Sequence, residues 1–272
     1  MSSMSTPVPS PTPSGRNPLT RILLGCAAMY LVLQGGLTLL TPRVDQTLAA
    51  VVVAAVMMVV AILIERWFFE RDLPSGLRAL GLSKPRREAM TVSVIVTAVM
   101  AAFFPLYSIA TGVPIVLRSD WVWILVGAVA LNGLAEETLF RGFVFGHLRQ
   151  AGQSFWRAGF TSLLIFAVVH LYLFTANPPL VAGLATMVAI GAALPLAFLY
   201  ERAGNTIWAG AVLHVGAHVF RFVEVPEAEY MTVAVIWLVL QIGVPFLIFA
   251  FVNSLLREPM PDGAPRARAP AA

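Results

Sequence analysis

Charge is what this sequence has least of. Of 272 residues only 12% are Asp, Glu, Lys or Arg, while 58% are hydrophobic and the mean hydropathy is +0.82. Soluble chains carry about a quarter charged residues and still leave much apolar surface in water, so this chain cannot clothe a water-soluble globule. A soluble enzyme, a nucleic-acid binder and a disordered scaffold are excluded together. Cysteine is nearly missing: Cys26 stands alone, which removes a disulfide framework and any cysteine-based metal site. Inside its apolar run it reads as a small buried hydrophobe. No GxSxG, HExxH or Gly-rich phosphate loop is present, so those chemistries have no residues to work with. Alternating, strand-like segments are also lacking, which sets aside a transmembrane β-barrel.

What is there is apolar length. Eight stretches come near the ~20 residues a helix needs to cross ~30 Å of hydrocarbon: Leu19–Leu40, Gln46–Ile64, Met90–Thr111, Trp121–Gly146, Ala158–Ala176, Val181–Tyr200, Thr206–Val223 and Tyr230–Leu256. The expected fold class is an all-α, polytopic membrane protein. Its transmembrane domain covers 19–256, between Ser/Pro/Thr-rich (1–18) and Pro/Ala/Arg-rich (257–272) tails that cannot bury a core. The first stretch is too long for a signal-peptide core.

Basic residues fix an orientation. With both termini in the cytoplasm, 15 of the 18 Lys and Arg fall on the cytoplasmic side, and only Arg43, Arg118 and Arg221 do not. The loop Glu65–Glu88 carries Trp67, Phe68 and Phe69 beside six basic residues, which suits either a short helix at headgroup level or a solvated loop. Pro105, Pro114, Pro195 and Pro245 could interrupt spans. The Ala/Arg/Pro-rich composition points to a bacterial chain, hence to the cytoplasmic membrane.

Ionisable residues inside spans are costly unless paired or facing a polar cavity, so they mark function. Stretch four holds Glu136, Glu137 and Arg141, stretch five His170, and stretch seven His214, His218 and Arg221. Glu137 and Arg141 are four apart, share a helical face and can pair. Glu136 lies about 100° round the helix and faces elsewhere, with Asn132 one turn before it as a hydrogen-bond partner. His214 and His218 stack on one face. At 1.5 Å per residue, Glu136, His170 and His214 lie ~12–18 Å from the cytoplasmic end of their helices, a common layer. His147 and Asn205, near helix ends, read as interfacial or capping residues.

Such a set suffices to hydrolyse a peptide bond without a Ser or Cys nucleophile. Glu136, lacking an ion-pair partner, holds a water and takes its proton beside His170, while Glu137 and Arg141 support it. Imidazole N–H groups of His214 and His218 stabilise the oxyanion.

The residues resemble a known family. Glu136-Glu137-Thr138-Leu139-Phe140-Arg141 reads as EExxxR, Phe166 to His170 as FxxxH, and His214 to His218 as a variant of HxxxN. This is similar to the CPBP intramembrane proteases, which take in type II CAAX prenyl endopeptidases and bacteriocin-processing, immunity or abortive-infection proteins. The resemblance implies about eight transmembrane helices around a conical, cytoplasm-facing polar cavity, with the protease core at about 120–223. It also implies water activation by Glu136 and His170, support from Glu137 and Arg141, and oxyanion binding by the third motif. His218 stands where the family usually has Asn, yet can donate the same hydrogen bond. No tightly bound metal is expected; were a divalent ion such as zinc held, Glu136, His170, His214 and His218 would be its ligands. The expected partners are the lipid bilayer and a membrane-associated peptide or lipidated protein, with no nucleic acid. A non-catalytic immunity or partner-binding protein, a proton-coupled carrier, and a hydrolase of membrane-bound amides are the alternatives.

Overall fold

The computed structural model describes residues 18–249. The tails expected at 1–18 and 257–272, and the end of the last apolar stretch, lie outside them, save that Pro18 opens the first helix. Seven helices among the described residues are long and apolar enough to cross a bilayer: Pro18–Leu40 (α1), Gln46–Phe68 (α2), Arg87–Thr111, Trp121–Gln150, Phe155–Thr175, Pro179–Arg202 (α10) and Glu227–Phe249. The molecule is an all-α, polytopic integral membrane protein. Leu31, Ile109, Leu180 and Val239 lie exposed on its outside, as side chains facing lipid tails do.

Proline divides two of these spans. The third is α4 (Arg87–Ala101) followed by α5 (Phe103–Thr111), and the break sits just before Pro105. Proline has no N–H to donate back to residue 101, and its ring crowds that carbonyl. The last span is α12 (Glu227–Gly243), closed by a 3₁₀ turn at Val244–Phe246 around Pro245. Pro195, by contrast, is accommodated within α10.

The fourth span departs furthest from expectation. After α6 (Trp121–Ala128) the backbone runs as two π-helical segments, Val129–Glu136 and Thr138–Phe145, before the short α7 (Gly146–Gln150). The i→i+5 pairing of a π-helix is rare and gathers at functional sites. Glycine lets neighbours press on this rod: a Cβ on Gly142 would stand 2.2 Å from the Leu80 carbonyl oxygen, and one on Gly133 3.1 Å from Val215.

The seventh stretch is not one continuous helix. Thr206–Val223 is a ten-residue helix, Trp208–Ala217 (α11), a 3₁₀ turn, Val219–Phe222, and a strand, Val223–Glu224 (β2). Hydropathy registers apolar length, not helical continuity, and His218 leaves the α region at φ −94°, ψ 9°. The stretch starts beside the loop before α4, where the Ile207 N–H donates to the Gly81 carbonyl at 3.0 Å and Trp208 Nε1 to the Ser83 carbonyl at 2.9 Å. It ends where β2 pairs antiparallel with β1 (Val116–Leu117), ahead of the fourth span. In between it lies along α4, whose Ser93 hydroxyl donates to the Ala209 carbonyl. Where α11 stops, the Gln241 amide of α12 donates to the Ala217 carbonyl, serving one of the acceptors a helix end leaves bare.

The loop Glu65–Glu88 is in part helical. Glu65, Trp67 and Phe68 belong to α2, and Leu73–Ala79 form a short helix (α3) capped by Asp72 through the Ser75 N–H. Leu80, fully buried, is driven into the core against the π-helical span.

Candidate active site

Glu136 and Glu137 straddle the junction of the two π segments, and the structure gives them opposite surroundings. Glu137 is completely buried, and its Oε1 meets Arg141 Nη1 at 2.9 Å and His214 Nδ1 at 2.7 Å. The expected i,i+4 pair is therefore present, reinforced by a histidine from α11. Arg141 is held from the other side by the Phe166 ring, 5.0 Å from its guanidinium carbon, a cation–π contact in a desolvated setting. Glu136 keeps 14% of its side chain accessible. Its Oε1 accepts from Asn132 Nδ2 at 3.1 Å, the partner the spacing suggested.

His214 lies between the two carboxylates. Its Nδ1 proton is directed to Glu137, while Nε2 stands 3.7 Å from Glu136 Oε2, too far for a hydrogen bond. An oxyanion donor at this position therefore needs a proton on Nε2. With Nδ1–H committed to Glu137, a neutral His214 presents a lone pair at Nε2 and donates there only as imidazolium. His218 lies just past the end of α11, and its ring still stacks on that of His214, 5.5 Å between centroids and 28° between planes.

His170 closes α8 (Phe155–His170). Its Nδ1 donates to the Phe166 carbonyl at 2.7 Å, leaving Nε2 as the acceptor. It lies within electrostatic range of His218, as Arg221 does of Glu136. The turn that carries His170 is pinned by a residue the sequence did not single out: Tyr30 of α1 donates to the Val169 carbonyl at 2.9 Å. Gly210 was passed over as well. A Cβ there would be 2.8 Å from Glu137 Oε2, so glycine lets α11 approach the carboxylate. Both depend on pairings across 139 and 77 residues of chain, which no local pattern announces.

Among the described residues no group of three or more His, Cys, Asp or Glu side chains is arranged to hold a metal ion. Glu136, His170, His214 and His218 do not form the ligand set a bound zinc would require. Each imidazole is turned by its own hydrogen bond or stack, and His214 faces two carboxylates rather than an ion.

His147 is a further correction: it is buried, not interfacial. Its Nδ1 donates to the Phe143 carbonyl at 2.8 Å, and Nε2 accepts from Arg71 at 2.9 Å. Arg71 also bonds Glu65 at 2.6 Å and Gln150 at 2.7 Å. Asn205 behaves as a cap, with φ +59° and its N–H donating to the Tyr200 carbonyl behind α10 at 3.0 Å.

With this geometry in hand, comparison with known proteins is decisive for the core. Residues 118–220 match the family model described as type II CAAX prenyl endopeptidase Rce1-like. Over these residues the chain is similar to that family. The match runs from the loop before the fourth span to the 3₁₀ turn after His218, so all three motifs fall inside it. No curated protein matches the chain.

Proposed function

We propose that this protein is an intramembrane endopeptidase that hydrolyses a peptide bond in a membrane-associated or lipidated substrate, using water activated by Glu136. The observation that carries the reading is the division of labour between adjacent glutamates. Glu137 is dry and paired with Arg141 and His214; Glu136 is accessible and holds only Asn132. A carboxylate with spare lone pairs in a low-dielectric wall is a general base, whereas one locked to a guanidinium is a scaffold.

In the proposed reaction a water lies against Glu136, with the Nε2 lone pair of His170 as its second acceptor. The water oxygen attacks the carbonyl carbon while its proton passes to Glu136. His218, whose ring nitrogens have no bond among the described residues, donates to the oxyanion. Collapse of the tetrahedral intermediate breaks the C–N bond, and Glu136 returns the proton to the leaving amine. Glu137 and Arg141 hold His214, which in turn buttresses His218. No step is routed through a metal. The Lys and Arg distribution supports an orientation with both termini in the cytoplasm.

The test is cleavage of a fluorogenic lipidated peptide by purified protein in liposomes. Glu136→Gln should lower turnover by about 10²–10⁴-fold, the range for loss of a general base, with unchanged insertion and folding. Full turnover by folded Glu136→Gln protein would overturn the reading.

A further inference from the structure

The second, fourth and sixth spans end around a hollow that takes no part in the mechanism above. It measures about 680 Å³ and is lined by Arg71 after α2, Arg78 of α3, Gly146 and Arg149 of α7, and Tyr200 and Glu201 near the end of α10. Trp67 and Trp156 stand at the same end of their helices and are 70% and 58% exposed. Tryptophan collects where hydrocarbon meets the headgroups, so the hollow lies at headgroup depth.

Its charges do not balance. Three guanidiniums, of Arg71, Arg78 and Arg149, face the single carboxylate of Glu201. That carboxylate is taken, since its Oε1 accepts from Arg149 Nη2 at 2.5 Å. Arg71 is drawn to Glu65, His147 and Gln150. Arg78 meets only neutral acceptors, the Pro74 carbonyl at 3.3 Å and the Ser75 hydroxyl at 3.2 Å. Its charge reaches Asp72, whose carboxylate is spent on capping α3. Two further donors in the wall are idle. Arg149 Nε is buried without an acceptor. Tyr200 is only 2% exposed, yet its hydroxyl has no hydrogen bond among the described residues. That hydroxyl lies against Gly146, where a Cβ would stand 2.9 Å from it. Donors of net positive charge that converge from three helices suit a tetrahedral anion, which offers oxygens on every side, better than a flat carboxylate. The volume falls in the ~300–1,000 Å³ range of small-ligand sites, more than a bare phosphate fills.

We propose that this hollow binds the phosphate group of a phosphate ester, with Arg78, Arg149 and the Tyr200 hydroxyl as its donors. Headgroup depth brings a phospholipid to it, and the adjoining water brings a soluble ester of the same chemistry. The site stands apart from the peptide-hydrolase reading, because none of its residues belongs to the set of Glu136, His170, His214 and His218.

The experiment uses the full-length protein in detergent with three probes: phosphatidylglycerol, a diacylglycerol with the same tails and no phosphate, and soluble glycerol 3-phosphate. Native mass spectrometry reads the bound lipids, and equilibrium dialysis reads the soluble ester. Retention of phosphatidylglycerol about tenfold or more above diacylglycerol makes the ligand a headgroup. Saturable binding of glycerol 3-phosphate without that lipid preference makes it a soluble ester. Arg78→Gln breaks no ion pair among the described residues and should weaken the binding by about tenfold, as loss of a charged hydrogen bond does. Tyr200→Phe removes only the hydroxyl and should weaken it by a smaller factor. Should one variant fail to fold, the other decides. Wild-type protein that shows neither the lipid preference nor binding of the soluble ester overturns the assignment. So does binding that stays undiminished in the folded variants.

Discussion

Two clusters in this molecule are built from the same three residue types and come to different ends. One, at the close of α2 and the fourth span, joins Glu65, Arg71 and His147; the other, mid-span, joins Glu137, Arg141 and His214. In the first, Arg71 reaches Glu65, His147 and Gln150 together, and the imidazole is sandwiched between Phe69 and Phe143. It is a clasp, drawn together by Arg71. In the second the same trio is only the support for a fourth member, Glu136, which water can reach. On the proposed reading, reactivity comes from the carboxylate that the trio leaves unclaimed, not from the presence of Glu, Arg and His.

Removing one charged member of each cluster sharpens that contrast. Arg141→Ala leaves the buried Glu137 with His214 as its one remaining partner, and should cost about 3–5 kcal/mol of stability, read from unfolding in detergent. Glu65→Gln has a smaller effect, about 1–3 kcal/mol, because Arg71 keeps 26% of its side chain accessible and can turn to water. Folded Glu65→Gln protein should still cleave its substrate. If it were as inactive as Glu136→Gln, the division into clasp and reactive centre would fall.

Gly210→Ala tests the support without altering a charge. Its new methyl group meets Glu137 Oε2 at 2.8 Å, so the carboxylate must shift and carry His214 with it. Turnover should fall about tenfold or more, in line with the cost of ~1 Å misplacements near chemistry, with a small change in melting temperature.

The smallest effect belongs to an exposed carboxylate that has no cluster. Asp45 caps α2 through the Thr47 and Leu48 N–H groups and accepts from Trp123 Nε1 at 2.8 Å. The Trp123 bond, with the backbone bonds, holds its pKa below the ordinary 3.8. A lowered acid contributes stability above that value and loses it as pH falls through the folded-state pKa. Asp45→Ala should therefore lower the melting temperature slightly at neutral pH, and the difference should fade below pH 3.8.

Much of this could be read in the chain. Seven of the apolar stretches became membrane-length helices, and Glu137–Arg141 and Asn132–Glu136 formed as their spacing implied, because those relations are local. The wide turns of the fourth span could not be foreseen, since the glycines that admit them answer to Leu80, Tyr200 and Val215, far along the chain. Glu65 and His147 passed as loop and interface for the same reason, Arg71 and His147 lying 76 positions apart. For His214 the four-residue interval to His218 says which face the ring occupies, not which carboxylate its proton faces.

The early end of α11 has a consequence of its own. A rod that stops midway through oil exposes polar backbone where hydrocarbon has nothing to offer it, and the single amide of Gln241 cannot tend every such group. On the proposed reading, this break is where the water that hydrolysis consumes would come in.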